Sequence, residues 1–211
     1  ASLVHCRELA HLNGIAIAGT AVGINFSYPK SAPERTEQMA YVKDWVDKAT
    51  LLGAPHVRVF AGRHPKGVTA EEAEQNAIEA LQEAGDYAAE RWFFLGIVIH
   101  DSVKTAERLL RIVTAVDNPF VGVNLDSGIF VADDVYSEME ASVGYAVNVQ
   151  LKTEIKVGDG SEKAPADLNR VIEILKAGNY AGHVVIEFEE KTDTFEHVPT
   201  LLETLRGYNE G

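Results

Sequence analysis

The sequence predicts an α/β fold with a parallel sheet, in one domain that spans residues 1–211. Short runs rich in β-branched and aromatic residues alternate along the chain with longer stretches of helical periodicity. The length of 211 residues suits one substantial core. No long linker or low-complexity segment divides the chain, so a second domain is not expected.

Six apolar runs have the length and composition of strands. They are IAIAGTAV (15–22), HVRVFAG (56–62), FFLGIVIH (93–100), FVGVNLD (120–126), AVNVQLK (146–152) and HVVIEFE (183–189). Each is separated from the next by a segment long enough for a crossover helix, which parallel neighbours require. The alternation therefore predicts right-handed βαβ units.

The helical segments show apolar stripes and terminal signals. They are residues 2–14, 36–54, 69–90, 103–116, 166–178 and 194–208. Thr69 and Glu72 have the spacing of a capping box, and Gly53 and Pro55 close the second helix. Pro199 predicts a late start or a kink in the last one.

A barrel and an open doubly wound sheet share this alternation. The open sheet that binds dinucleotides carries GxGxxG between its first strand and helix. Here Gly19 and Gly23 in GTAVGIN have the wrong spacing, and no P-loop is present. A barrel is therefore favoured.

The bulk properties exclude several classes of partner. The 19 Lys and Arg residues against 32 Asp and Glu give a formal charge of −13, which argues against nucleic acid. The single cysteine, Cys6, excludes an internal disulfide and a thiolate metal cluster. Neither a membrane-spanning run nor a secretory signal is visible, so we expect a cytoplasmic protein without a membrane partner.

Polar residues interrupt five successive strands, close to the end of each. They are Arg58, His100, Asn124, Asp126, Asn148, Gln150, Lys152, Glu187 and Glu189. Strands of a parallel sheet should be nearly all apolar, and residues of one parity point to one side. In a barrel the polar sets would converge inside, at the carboxyl-terminal mouth where such barrels keep their sites.

Each of these residues also has an ordinary explanation. Asp126 fits the start of a turn, His100 a core histidine, Lys152 an amphipathic side chain and Glu189 a solvated acid. The recurrence in five strands favours a site, because burying unpaired polar groups is costly.

The predicted site is rich in oxygen ligands. Asp126, Glu187 and the amide oxygen of Gln150 would suit Mg²⁺ or Mn²⁺, with Co²⁺ and Zn²⁺ as alternatives. A divalent ion there could polarise sugar oxygens while a carboxylate moves a proton.

Several strings together resemble the xylose isomerase-like TIM barrels of the sugar isomerase/epimerase superfamily. The strings are GTAVGINF, LGAPHVRVFAG, VGVNLDSGIF, YAVNVQLKTE and GHVVIEFEE. The resemblance implies a (β/α)8 barrel that binds a divalent metal at its mouth and isomerises or epimerises a sugar or sugar phosphate. By motif, Asp126 and Glu187 match two metal-ligating acids, and Gln150 stands at the position of a histidine ligand.

The same resemblance suggests roles for the remaining polar residues. We expect Glu187, His100 and Lys152 to act in catalysis. We expect a sugar or polyol to contact four further side chains: Arg58, Asn124, Asn148 and Glu189.

One strand departs from the family pattern. The segment Gly96–His100 carries Val98 where the family usually has a glutamate that ligates the metal and moves a proton. Metal binding is therefore expected to be weak or absent, and turnover impaired. The alternative is a non-catalytic, degenerate barrel that binds at most a polyol. Activity like that of endonuclease IV, from the same superfamily, is disfavoured because the chain lacks the His-rich set of a multi-zinc site.

The number of strands departs as well. Residues 2–14 look like the second helix of the family, so a β-α-β portion before them is expected to be missing. The fold prediction is thus a TIM-barrel-like parallel barrel, incomplete, with about six β/α units. Two exposed sheet edges would remain, and we expect a homodimer to cover them.

Overall fold

The computed structural model describes residues 2–157 and 162–208 and contains two sheets. The strands are β1 (Thr20–Ala21), β2 (His56–Val59), β3 (Phe94–Ile97), β4 (Val121–Asp126), β5 (Ala146–Leu151), β6 (Glu154–Val157), β7 (Glu162–Pro165) and β8 (Val184–Ile186). The sheet β1-β2-β3-β4-β5-β8 is parallel throughout, whereas β6 and β7 form an antiparallel hairpin. The main sheet curls through 231°, which confirms the predicted incomplete barrel.

Helices lie between the strands of the main sheet and also before the first and after the last of them. They are α1 (Leu3–Leu12), α2 (Pro33–Leu52), α3 (Ala70–Ala89), α4 (Ala106–Val116), α5 (Val135–Ser142), α6 (Leu168–Ala177) and α7 (Thr194–Gly207). The capping box at Thr69 and Glu72 is formed, and Gly53 ends α2 in the left-handed conformation with φ of 79°. None of the described helices combines the length and apolarity needed to cross a membrane.

Four local features differ from the sequence predictions. The first strand shrinks to Thr20–Ala21, and α7 begins at Thr194 and continues past Pro199 rather than starting late. Asp193 explains that early start, because its side chain accepts a hydrogen bond from the backbone N–H of Phe195. The helix α5 and the β6–β7 hairpin were not predicted, since α5 is short and the hairpin is rich in charge.

The strand register separates the two faces of the main sheet. On the outer face Val57 pairs with Leu95 and Leu95 with Val121, and these side chains join the core formed with the helices. On the inner face Arg58 pairs with Gly96. A register shift beside Asn124 then aligns β4 with β5. The apolar outer face of the sheet therefore packs against the helices, and the polar residues lie on the inner face.

Candidate functional site

The ends of β4, β5 and β8 bring three predicted site residues to one side of the sheet. Asp126 pairs with Gln150, and Gln150 pairs with Val185. Glu187 lies two residues beyond Val185, and its backbone N–H donates to the carbonyl of Leu151 at 2.9 Å. Because parity is preserved along a strand, Asp126, Gln150 and Glu187 face the same inner space.

A chain of amides crosses this inner face, formed by Asn148, Asn124 and Gln150. The Nδ2 of Asn148 donates to Oδ1 of Asn124 at 2.9 Å, and Nδ2 of Asn124 donates to Oε1 of Gln150. The chain ends where Nε2 of Gln150 donates to Oε2 of Glu187 at 2.6 Å. Each donor is thus directed towards Glu187, which fixes the position of that carboxylate.

An ionic cluster adjoins the amide chain and consists of Asp126, Lys152, Glu187 and Glu189. The Nζ of Lys152 lies 2.9 Å from Glu189, 3.5 Å from Glu187 and 3.8 Å from Asp126. Only 11% of the Lys152 side chain is exposed. This lysine therefore points into the cluster rather than towards solvent.

Burial and charge shift the pKa values of the cluster in opposite directions. Burial raises the pKa of Asp126 to about 6, although Lys152 and the Gly128 N–H lower it. Burial alone would lower the pKa of Lys152, but the neighbouring carboxylates outweigh it and the pKa is raised. The hydrogen bond from Lys152 lowers the pKa of Glu189. Lys152 is therefore held as a cation.

Asp126 also has the role that ordinary turn chemistry predicts. Its Oδ1 accepts a hydrogen bond from the backbone N–H of Gly128 at 3.0 Å. Its Oδ2 faces Lys152. The turn and the site are thus built by the same carboxylate.

Arg58 lies on the same inner face, whereas His100 is set apart. The guanidinium of Arg58 stacks on Phe60 at 4.5 Å, and burial lowers its pKa against the opposing effect of Glu187 and Asp126. The ring of His100 also packs against Phe60, with 4.6 Å between the ring centroids. Its Nδ1 lies 3.0 Å from Oδ1 of Asp101. Among the polar contacts of the described residues, none joins His100 to the ionic cluster. Its catalytic role remains a prediction, as do the roles of the other site residues.

The sequence of residues 2–207 matches the family described as xylose isomerase-like TIM barrel. The chain belongs to this family. The match covers nearly the whole sequence and confirms the resemblance inferred from the strand motifs. The amide chain and the ionic cluster therefore lie at the carboxyl-terminal end of a xylose isomerase-like sheet.

Solved structures support the same fold assignment. The 3-keto-D-glucoside 4-epimerase YcjR from E. coli has a TM-score of 0.79 at 15% identity, over 97% of this chain and 86% of that chain. A xylose isomerase domain protein from Planctomyces limnophilus has a TM-score of 0.76 at 15% identity, over 99% and 83%. The IolI protein, solved with a binding zinc atom, has a TM-score of 0.71 at 19% identity, over 89% and 72%. No curated protein matches the sequence.

Val98, where the resemblance led us to expect an acid, directly follows β3. Its side chain has the parity of Gly96, which lies on the inner face, and the residue is 1% exposed. Its backbone N–H donates to the carbonyl of Val59 at 3.2 Å, so it extends the sheet ladder. The valine methyl groups supply neither a metal ligand nor a proton carrier at this point.

The donor set does not fit a resident divalent ion well. The carboxylates of Asp126 and Glu187 are shared by the ammonium of Lys152, and Oε1 of Gln150 accepts a hydrogen bond from Asn124. In the part of the chain that the structure describes, no group of three or more His, Cys, Asp or Glu residues is placed to hold a metal. The three predicted ligands do come together, but two of them, Asp126 and Glu187, face the ammonium of Lys152, and Gln150 is hydrogen-bonded to Asn124 and Glu187.

Two further residues near the site were not predicted. His56 is buried on the inner face, with Nδ1 2.9 Å from the carbonyl oxygen of Ala18, and its shared parity with Arg58 was the available signal. A side chain at Gly19 would collide with its ring at 1.9 Å. Lys163 on β7 lies 3.7 Å from Glu189, and no strand pattern pointed to it because the hairpin itself was missed.

Proposed function

We propose that this chain is a sugar isomerase/epimerase-like protein that takes a sugar, a sugar phosphate or a related polyol at the mouth of its sheet. The junction of the amide chain with the ionic cluster is the observation that carries this proposal. Sugar hydroxyl groups both donate and accept hydrogen bonds, so neighbouring amides and carboxylates complement them. Among the described residues, Oδ1 of Asn148 and Nε of Arg58 are buried without a partner, which supports a role in ligand binding.

The proposed roles follow from the contacts. Glu187 would move a proton at a carbon next to the sugar carbonyl, with its carboxylate oriented by Gln150 and Lys152. The nearby side chains would hold the hydroxyl groups and so fix the ring: Arg58, Asn124, Asn148 and Glu189. His100 would contact the outer part of the ligand, since 41% of its side chain is exposed.

Turnover is expected to be weak. Epimerisation requires one group to remove a proton and a second group to return one on the opposite face. Val98 offers no such second group. The resemblance also implies a divalent ion (Mn, Mg, Co or Zn) at the mouth. This chain would bind such an ion weakly, because Asp126 and Glu187 already face the ammonium of Lys152.

The second candidate function is a non-catalytic barrel that binds a polyol. The buried Val98 favours this candidate because it removes half of the proton-transfer pair while the amide chain stays complete. Both candidates predict ligand binding, and only the first predicts turnover. Isotope exchange from solvent deuterium into a bound ketose separates them.

Ligand binding is the first measurement to make. Purified protein would be titrated by calorimetry with a panel of ketoses, ketose phosphates and polyols. We expect at least one to bind, and we expect Glu187→Gln to weaken it about tenfold or more, since a hydrogen bond to a charged group is lost. Gln82→Ala removes an exposed amide on α3 and is the matched control. The proposal fails if nothing in the panel binds, or if Glu187→Gln binds as well as the unaltered chain.

We further propose that two copies associate through the open sheet edges. The edge strand β8 leaves Val184 and Val185 36% and 37% exposed. A two-fold partner would cover this surface. The corresponding test closes the Discussion.

A further inference from the structure

The ionic cluster places a single cation among carboxylates that come from separate strand ends. Asp126 ends β4, and Glu187 and Glu189 follow β8. All three face Nζ of Lys152, at 3.8, 3.5 and 2.9 Å. Carboxylates gathered around one point repel one another, and the positive charge of Lys152 offsets that repulsion. The lysine therefore has an electrostatic function in this site.

The position of Lys152 is built by the surrounding chain. Its backbone N–H donates to Oγ of Ser127 at 2.8 Å, and Ser127 is itself fully buried. Gly128 leaves the space that the lysine stem needs, because a Cβ there would lie 2.6 Å from Cδ of Lys152. These contacts direct the side chain inwards, so the lysine is not an amphipathic side chain that reaches solvent.

Lys163 shows what a peripheral lysine looks like in the same neighbourhood. Its side chain is 44% exposed, and it lies 3.6 Å from Glu154 and 3.7 Å from Glu189. Such exposed pairs contribute little and rearrange easily. The two lysines share one carboxylate partner, yet only Lys152 is enclosed.

We propose that the ammonium of Lys152 is the resident cation of the mouth and stands in place of a divalent metal. A divalent ion binds carboxylate oxygens at about 2.0–2.6 Å. An ion held by Asp126 and Glu187 would lie close to the ammonium that is 3.5–3.8 Å from them, and the two positive charges would repel each other. The inference rests on the proposed function for its ligand class, and it adds that the sugar binds without metal.

The chemistry of an ammonium suits this position. Lysine carries a compact charge with three N–H donors. One donor is directed to Glu189, the nearest carboxylate, and the longer separations from Asp126 and Glu187 leave the others able to reach a sugar oxygen. Lys152 would thus hold both the carboxylates and the ligand.

Metal binding can be measured without any activity assay. Protein stripped with a chelator would be titrated with Mn²⁺, and free Mn²⁺ would be followed by electron paramagnetic resonance. We expect the unaltered chain to bind Mn²⁺ only at millimolar concentration and to melt at the same temperature with Mn²⁺ or with chelator. Lys152→Met should bind Mn²⁺ about tenfold more tightly or better, because ligand charge sets affinity. Lys163→Met is the matched control and should change little.

Several results would overturn the inference. One is stoichiometric Mn²⁺ binding by the unaltered chain at low micromolar concentration, which needs no variant to detect. Another is a Lys152→Met affinity no better than that of Lys163→Met. If Lys152→Met does not fold, Lys152→Arg keeps the charge and should retain the weak Mn²⁺ binding of the unaltered chain; tight binding by that variant would count against the inference.

The sugar titration separates this inference from the proposed function. Sugar binding by the unaltered chain in excess chelator supports both. Sugar binding only when Mn²⁺ is added overturns the inference and leaves the function standing. No sugar binding in either condition overturns the function, while the Mn²⁺ titration still decides the role of Lys152.

Discussion

Nε2 of Gln150 donates a 2.6 Å hydrogen bond to Oε2 of Glu187 and so joins the end of β5 to the segment that follows β8. The strand β8 has only three residues and lies at an edge of the sheet. Gln150 also accepts from Asn124, so the buried amide chain is secured to the edge strand through one side chain. The site and the stability of the edge are therefore linked.

Gln150→Ala should lower the free energy of unfolding by about 1–3 kcal/mol, because it leaves the buried amide of Asn124 without its acceptor. Urea unfolding followed by circular dichroism measures this change. Gln82→Ala, whose amide donates to a backbone carbonyl on the surface, serves as the control and should change stability by less than about 0.5 kcal/mol. Equal stability of Gln150→Ala and the control would show that the amide chain is energetically unimportant.

Much of this arrangement follows from local patterns in the sequence. Strand parity alone places Asn124 and Asp126 on one face, and the same holds for Asn148 and Gln150, because side chains alternate with a period of two. The apolar outer face and the crossover helices then determine which side is the interior. These features do not depend on contacts distant in sequence, and they were predicted correctly.

The position of Lys152 could not be predicted in the same way. It depends on the shift in register beside Asn124, on the space left by Gly128 and on the turn made by Ser127. Each of these is a tertiary relationship between segments about 25 residues apart in the chain. The sequence therefore indicated that acids meet at the strand ends, but not that the ammonium of Lys152 lies between them.

The raised pKa of Asp126 predicts a specific dependence of stability on pH. The folded-state pKa of about 6 lies above the ordinary value of 3.8, so the folded protein binds the proton more tightly than the unfolded chain does. The contribution of Asp126 to the free energy of unfolding therefore falls as the pH rises from about 4 to about 6 and is constant above that range. The size of the fall is about 3 kcal/mol at most.

Asp126→Asn isolates this effect from the titration of other groups. The asparagine keeps an acceptor for the Gly128 N–H but cannot ionise. The unaltered chain should lose up to about 3 kcal/mol of unfolding free energy relative to Asp126→Asn between pH 4 and pH 7. The value for Asp126→Asn minus that for the unaltered chain should therefore increase by this amount. Lys152, Glu187, Glu189 and Arg58 face the same group in both proteins. A difference that does not vary with pH would refute the assignment.

Val98→Glu restores the acid that the family pattern has at this position. We expect it to raise epimerisation of a bound ketose above the weak level of the unaltered chain, because it adds a second ionisable group on the inner face of the sheet. It should also lower the melting temperature, since a carboxylate replaces a side chain in a position that is 1% exposed. Turnover would be followed by chromatography of the product sugars.

Val98→Gln provides the matched control for shape and polarity. It should lower the melting temperature in the same direction without raising turnover. Equal turnover for Val98→Glu and Val98→Gln would exclude proton transfer as the cause. Robust turnover by the unaltered chain that survives Glu187→Gln would remove the proposed role of Glu187.

Association of two copies is the last prediction, and it follows from the edges of the sheet. The strands β1 and β8 each pair on one side only among the described strands, and unpaired edges favour association. The helices α1 and α7 have no buried residue and add exposed apolar side chains, such as Leu12 and Phe195, for a partner to cover. We expect a homodimer at low micromolar concentration, measured by light scattering during size exclusion.

Val185→Lys tests which surface is used. A charge on the edge strand β8 should weaken the dimer about tenfold or more, because covering apolar area contributes about 25 cal/mol per Å² and a buried lysine opposes it. Trp92→Lys is the control, since Trp92 is 84% exposed beside the central strand β3 and lies away from both edges. A stable monomer of the unaltered chain would refute the dimer. Equal dissociation by both variants would place the interface elsewhere.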